Sequence, residues 1–486
     1  MHRLSPIDSA FLLVEQRHMP LHVGGLILFR PPADAAPDFA SQLANRLRES
    51  RRVAPPFDRR PHTRFGFGFW DSEQEFDLAQ HFVHLALPRP GRIRELLAMV
   101  SRVHSAHLDR AYPLWRMYLI EGLEDGRIAA YFKIHHAVVD GVAALRLFMK
   151  SMSPDREQSK TMPAPWEIQT RRSDATLAVP APAVVGPMGL LASLARNAVK
   201  ATPTFVRQLR HTWDDYRAHH PYLATSVQAP RCILNQSVTA SRRFAAQSYP
   251  TARMRAVAQK IDGTLNDVAL AMCGGALRRY LADLGALPDE SLVAIVPVSV
   301  RQDDGTTGNE IAFALANLGT NVADPVERLR LVKGCMDYNK ARFREMSPAQ
   351  LQAYSVAQLL PGALTWLLGL DPKHFVANLV ISHVPGPRQP MYWQGCELDG
   401  MYPASVVVDT MALNITLISR HDAVDFGLIA CRRTLPSVQR LLDHLETALV
   451  ELEHALFGTP ARAAPRRPEK SRPRRMHRSS RPAAPL

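Results

Sequence analysis

Apolar positions in the first 150 residues switch between two periods. Phe39 to Ser50 and Arg92 to Asp109 carry the three-to-four-residue spacing of helices, while Val23 to Phe29 and Arg116 to Glu121 read as strands. Past residue 231 both signals return. Thr251 to Leu284 reads as mostly helical, Leu292 to Val300 as a strand, Pro325 to Arg344 as a helix, Leu413 to Ser419 as a strand and Pro436 to Phe457 as a closing helix. Between them, residues 153–231 are punctuated by Pro154, Pro163, Pro165, Pro180, Pro182 and Pro187, with a helical pattern from Leu190 to Arg217. The organisation predicted is α/β (α+β): an N-terminal half over 1–152, a Pro-rich linker with a helix over 153–231, and a C-terminal half over 232–460. Two mixed halves of similar size suit a pseudo-duplicated architecture.

Length and charge add two points. A chain of 486 residues with 46% hydrophobic and 21% charged residues has ample material for two cores. The formal charge of +14 is uneven, because the stretch 461–486 holds nine basic residues against the single acid Glu469. Interleaved with Pro, Ser and Ala, that stretch reads as a disordered basic tail. Such a tail suits an anionic lipid surface or nonspecific contact with nucleic acid, or simply stays solvated. The five cysteines form no C-x-x-C pair, as expected of reduced cytoplasmic thiols. No basic start followed by an apolar core marks a signal peptide. The most apolar segment, Val356 to Leu370, is interrupted by Pro361 and is shorter than the ~20 residues of a membrane span.

The chemistry concentrates in one place. Ile128 to Ile134 is a short apolar strand running into His135-His136-Ala137-Val138-Val139-Asp140-Gly141, and Gly141 to Phe148 has helical periodicity. Neighbouring strand residues face opposite sides, so one imidazole can enter a cleft while the other points away. A histidine titrates near neutrality and can take a proton from an alcohol or thiol, then return it to a leaving group. Asp140 can cap the helix or pair with a distant arginine, and Gly141 permits backbone conformations closed to other residues. The alternative is two buried, hydrogen-bonded histidines and a plain cap. His421-Asp422-Ala423-Val424-Asp425 repeats the spacing but reads as a hairpin turn.

The whole motif, with others in the same order, resembles the bacterial wax ester synthase/diacylglycerol acyltransferase (WS/DGAT) family. The resemblance starts at Leu4-Ser5-Pro6-Ile7-Asp8-Ser9-Ala10-Phe11 and His22-Val23-Gly24 and continues through Phe76-Asp77-Leu78, His81, Leu87-Pro88-Arg89-Pro90-Gly91 and Pro113-Leu114-Trp115. It resumes at Leu234-Asn235, Arg242-Arg243-Phe244, Asn266-Asp267-Val268, Pro297-Val298-Ser299-Val300-Arg301 and Val384-Pro385-Gly386-Pro387. It implies two chloramphenicol-acetyltransferase-like halves with the active site in a channel between them. It carries the role of general base to His136, within a catalytic set of His135, Asp140, Gly141 and Asn266. Pro113, Leu114, Trp115 and Asp267 become candidates for substrate binding, and Asn266 for orienting the acceptor or binding the oxyanion. Arg301 is the candidate partner of a structural Asp140. His383 stands where the family usually has Asn.

The reaction so implied is esterification of diacylglycerol by acyl-CoA, with a long-chain fatty alcohol as the other acceptor and no cofactor. Condensation domains of peptide synthetases share a double histidine, but the Pro-Leu-Trp and Asn-Asp motifs argue against them. A noncatalytic lipid or nucleic-acid binder is the remaining class, with nucleic acid the less expected partner. The chain lacks G-x-S-x-G, H-E-x-x-H and P-loop motifs. No metal is expected, since His81-Phe82-Val83-His84 lacks a third ligand. A cytoplasmic enzyme is expected, peripheral to the inner face of the membrane or to lipid droplets.

Overall fold

Ile128–His135 is buried at every position, which identifies it as an inner strand covered on both faces rather than an edge. The computed structural model describes residues 2–50, 52–64, 67–139, 141–169, 220–299, 311–347 and 372–458, with scattered positions at 210–218 and 350–358. In it Ile128–His135 is the fourth strand of a six-stranded mixed sheet, ordered Tyr392–Trp393, Cys396–Ala404, His22–Arg30, Ile128–His135, Trp115–Glu121, Phe82–Ala86. A second six-stranded mixed sheet runs Ile311–Asn317, Val293–Ser299, Leu379–Pro385, Leu413–Ser419, Ala423–Cys431, Arg242–Pro250.

Most element boundaries follow the periodicity. Pro325–Arg344 and Leu413–Ser419 match the reading residue for residue, and the early helices are Phe39–Arg48 and Ile93–Ser105. The long pattern of Thr251 to Leu284 instead splits into Thr251–Lys260 and Leu265–Asp283. The break falls where Asp262 takes a positive φ and Thr264 starts a new capping box with Asp267. The closing helix begins only at Arg440. Most of the expected linker helix, much of Val356 to Leu370, and the basic tail lie outside the described residues.

The sheets do not follow the division of the chain. Tyr392–Trp393 and Cys396–Ala404 come from the C-terminal half but complete the N-terminal sheet, where Cys396–Ala404 pairs antiparallel with His22–Arg30. Where this strand passes the second sheet the backbones nearly touch: a Cβ on Gly427 would run into the Pro403 carbonyl. Beside that contact, buried Asp425 accepts from Ser248 Oγ (2.6 Å), the Met401 amide (2.8 Å) and Arg420 Nε (2.7 Å), tying the crossing strand to the second sheet. The first half is therefore not complete without the second. Among the described residues no helix is long and apolar enough to cross a membrane.

Candidate active site

The double histidine is held from below by the chain's first helix, Pro6–Val14. Its start is a capping box: Ser5 Oγ accepts from the Asp8 amide and the Asp8 carboxylate accepts from the Ser5 amide, with Pro6 in the first helical position. This fixes where Phe11 lies, and Phe11 stacks on His136 with ring centroids 4.3 Å apart and 20° between planes. The chain then loops back, and the Leu21 carbonyl accepts from the His136 amide (2.9 Å). From the other side the Leu114 carbonyl accepts from the His135 amide (2.9 Å).

The two imidazoles are treated differently. His135 is 1% exposed; its Nδ1 accepts from the Ala137 amide at 3.1 Å, and its Nε2 lies 3.4 Å from Glu15 Oε1. An Nδ1 that accepts carries no proton, so the ring proton sits at Nε2, facing the carboxylate. Burial alone would raise the Glu15 carboxyl, but His135, the Leu21 amide and Arg110 outweigh it and hold it down at about 2. Both nitrogens of His135 thus face groups of the protein. His136 is half-buried and is the more exposed of the pair.

Behind His135 the same strand face carries a buried polar series that the sequence did not single out. Lys133, 1% exposed, donates from Nζ to the carbonyls of Val103 (3.0 Å) and Ala106 (2.7 Å). Tyr131 Oη meets His104 Nδ1 at 2.6 Å, and His22 Nε2 donates to the His104 carbonyl at 2.7 Å. Burial, with the nearby Lys133, pushes His104 down to about 3 and His22 well below its ordinary value. Gly24 of the His-Val-Gly motif makes room for this series: a Cβ there would sit 2.7 Å from Tyr131 Oη.

Other expected site residues separate into groups. Pro113, Leu114 and Trp115, expected to bind substrate, are buried in the core. Trp115 Nε1 donates to the Phe57 carbonyl (2.8 Å) and its ring stacks on His81 (4.7 Å) and Trp166 (5.7 Å), leaving no face for a ligand. Their part is to hold the strand end through the Leu114 carbonyl. Asp267 is likewise a capping residue, 0% exposed, whose Oδ2 accepts from the Thr264 amide and hydroxyl at 2.8 Å. Asn266 precedes it on the same first turn. The cap being Thr264, the Asn266 side chain is not needed there; it is half-buried and makes no hydrogen bond among the described residues. Gly141 opens the helix Gly141–Met149. Asp140 and Arg301 lie outside the described residues.

His383 lies on Leu379–Pro385, and its Nε2 is buried with no hydrogen-bond partner among the described residues; burial pushes it down to about 4. His81 Nδ1 donates to the Trp115 carbonyl (2.9 Å) and His84 pairs with Glu121 (3.3 Å), which accounts for the zinc-like spacing. No cluster of three metal-ligating side chains occurs among the described residues. Glu15 escaped the sequence reading, and Phe11 entered it only as the end of a shared motif, because about 120 positions separate them from their imidazoles. The Ser5-x-x-Asp8 spacing fits a capping box and is a local signal that could have marked the helix Pro6–Val14, which holds Phe11 and is followed by Glu15.

Two interlocked mixed sheets with a histidine pair at a strand-to-helix turn define the fold shared by chloramphenicol-acetyltransferase-like acyl-transferring enzymes. A condensation domain of the calcium-dependent antibiotic synthetase superposes over 95% of this chain with a TM-score of 0.55 at 15% identity, which shows that fold alone. The chain belongs to the wax ester synthase/diacylglycerol acyltransferase family: the catalytic domain of that family matches residues 4–269 and the WS/DGAT C-terminal domain residues 307–453. It is 46% identical to the O-acyltransferase WSD of Acinetobacter baylyi over 92% of this chain and 96% of that protein. It is 43% identical to a putative diacylglycerol O-acyltransferase of Mycobacterium tuberculosis over 93% of this chain and 100% of that protein. The solved wax ester synthase/diacylglycerol acyltransferase of Marinobacter aquaeolei superposes with a TM-score of 0.79 at 42% identity, covering 94% of this chain and 100% of that one. The chain is accordingly an O-acyltransferase.

Proposed function

We propose that the chain transfers a fatty acyl group from acyl-CoA to diacylglycerol, with His136 as general base, in a channel between the two halves. The observation that carries this is the asymmetry of the histidine pair: His135 is fully buried with its ring nitrogens facing Ala137 and Glu15, whereas His136 is half-buried at the end of the strand and is the ring better placed to meet substrate. The acceptor hydroxyl oxygen attacks the thioester carbonyl carbon as its proton passes to His136. The oxyanion so formed collapses, the C–S bond breaks, and the CoA thiolate takes the proton from the imidazolium. The chain balances without metal or cofactor. The Asn266 amide, unused in the helix cap, is suited to donate to the oxyanion or to the acceptor.

Diacylglycerol is the preferred acceptor because the mycobacterial relatives carry that name. A long-chain alcohol giving a wax ester is the second reading, favoured by the name of the Marinobacter structure. Both products are apolar, so the enzyme works best at a lipid surface, cytoplasmic membrane or droplet, with residues 461–486 supplying positive charge toward anionic headgroups. The test is release of CoA thiol from palmitoyl-CoA by wild type and His136→Ala, with dioleoylglycerol and hexadecanol offered separately and products separated by thin-layer chromatography. Acceptor-dependent release that falls by about two to four orders of magnitude in the variant is expected. Near-wild-type release by His136→Ala would remove it as base, and release with hexadecanol alone would exchange the two acceptors.

A further inference from the structure

The carboxylate of Glu15 is 5% exposed and is met by four donors or rings. Oε1 accepts from the Leu21 amide (3.0 Å) and lies 3.4 Å from His135 Nε2 and 3.5 Å from His107 Nδ1; Oε2 accepts from Arg110 Nη2 (2.9 Å). Arg110 in turn donates to the Leu12 carbonyl at 2.6 Å, so the guanidinium is anchored to the helix that presents Phe11. Leu21 is the same residue whose carbonyl accepts from the His136 amide. One carboxylate therefore reaches both histidines: His135 through its ring, and His136 through the backbone of residue 21.

We propose that Glu15 is the positioning residue of the double histidine, fixing the ring proton of His135 and holding the Leu21 carbonyl against the His136 amide so that the His136 ring keeps its place on Phe11. A buried acid with no such duty would be costly to keep in an otherwise apolar helix end. The inference rests on the reading of His136 as base, because a misplaced base is what its loss would produce. Glutamine cannot replace it. The amide has one oxygen for two sets of donors, so its NH2 must face either Arg110 or the Leu21 amide and His135 Nε2, donor against donor.

The experiment compares Glu15→Gln, His135→Gln and the double variant in the full-length enzyme, reading kcat, KM for palmitoyl-CoA and thermal unfolding, with His136→Ala assayed alongside. Glu15→Gln is expected to lower kcat about 10- to 100-fold while KM for palmitoyl-CoA stays within about threefold and unfolding stays cooperative. The double variant is expected to lose clearly less than the product of the two single losses, since both changes remove the contact between Glu15 and His135 and only Glu15→Gln also disturbs residue 21. Multiplying losses would overturn the proposal, as would a Glu15→Gln enzyme of wild-type kcat beside an inactive His136→Ala. An active His136→Ala would instead bring down the reading of the base, and this inference with it. Should Glu15→Gln not fold, His135→Gln carries the test: wild-type kcat in that variant means that the contact between Glu15 and the His135 ring sets nothing, and the proposal of a paired positioning role falls.

Discussion

Lys133 lies two residues before His135 on the same strand face, with its ammonium bound to carbonyls at the end of the helix Ile93–Ser105. The helix dipole favours a cation there. Burial and the charge of Arg116 oppose it more strongly, and they pull the lysine from 10.5 to about 7 despite Glu15. In the unfolded chain the side chain returns to its ordinary value. Between pH 7 and 10.5 the unfolded state thus binds one more proton than the native state, and stability rises with pH across that window. Below pH 7 both states are protonated and the burial penalty is fully present; above 10.5 it has gone. Each pH unit within the window contributes about 1.4 kcal/mol, so the wild-type protein should gain about 2 kcal/mol between pH 7 and pH 9 from this residue. Lys133→Met removes the titration. It also leaves two helix-end carbonyls without a donor, at roughly 1–3 kcal/mol for each, but that cost does not depend on pH. Urea unfolding followed by tryptophan fluorescence at pH 7 and pH 9 separates the two effects, since distant groups titrate alike in both proteins and cancel. The variant's deficit should grow by about 2 kcal/mol from pH 7 to pH 9. An equal deficit at both values would mean that Lys133 keeps its ordinary affinity for the proton, and the account of the buried series would fail.

Two further substitutions probe the sheet crossing and the departure at residue 383. Gly427→Ala places a methyl against the Pro403 carbonyl, where backbone cannot yield as a side chain would; it should destabilise by about 1–3 kcal/mol, and an unchanged melting temperature would show that the strands can separate freely. His383, at about 4 instead of 6.5, takes up its proton in the unfolded chain first, so it costs stability as pH falls from 6.5 toward 4. His383→Asn should therefore gain about 2 kcal/mol on wild type in urea unfolding on going from pH 7 to pH 5; no relative gain would place His383 in contact with water.

Why the site was half legible follows from which contacts are local. The strand Ile128–His135 and the helix Gly141–Met149 could be read because their burial patterns are written in consecutive residues, and so could the turn between Leu413–Ser419 and Ala423–Cys431, where Ser419 pairs with Val424. That turn is what separates the two segments of equal spacing: His421 sits in a tight hairpin loop, whereas His135 ends an inner strand and leads into a helix. Spacing alone carries no such distinction; the elements on either side do. The strand Cys396–Ala404 was invisible for the opposite reason, because nothing in Cys-Glu-Leu-Asp-Gly-Met-Tyr-Pro-Ala says that its partner is His22–Arg30. The same holds for Pro113-Leu114-Trp115 and Asp267, where a motif shared across a family suggested contact with substrate although burial assigns the residues to packing and capping. A residue that fixes a reactive side chain is under the same constraint as one that touches substrate, and a sequence pattern cannot tell them apart. Glu15 is the converse case: it belongs to no motif of charge or spacing, and only the return of the chain at Leu21 brings its carboxylate to both histidines.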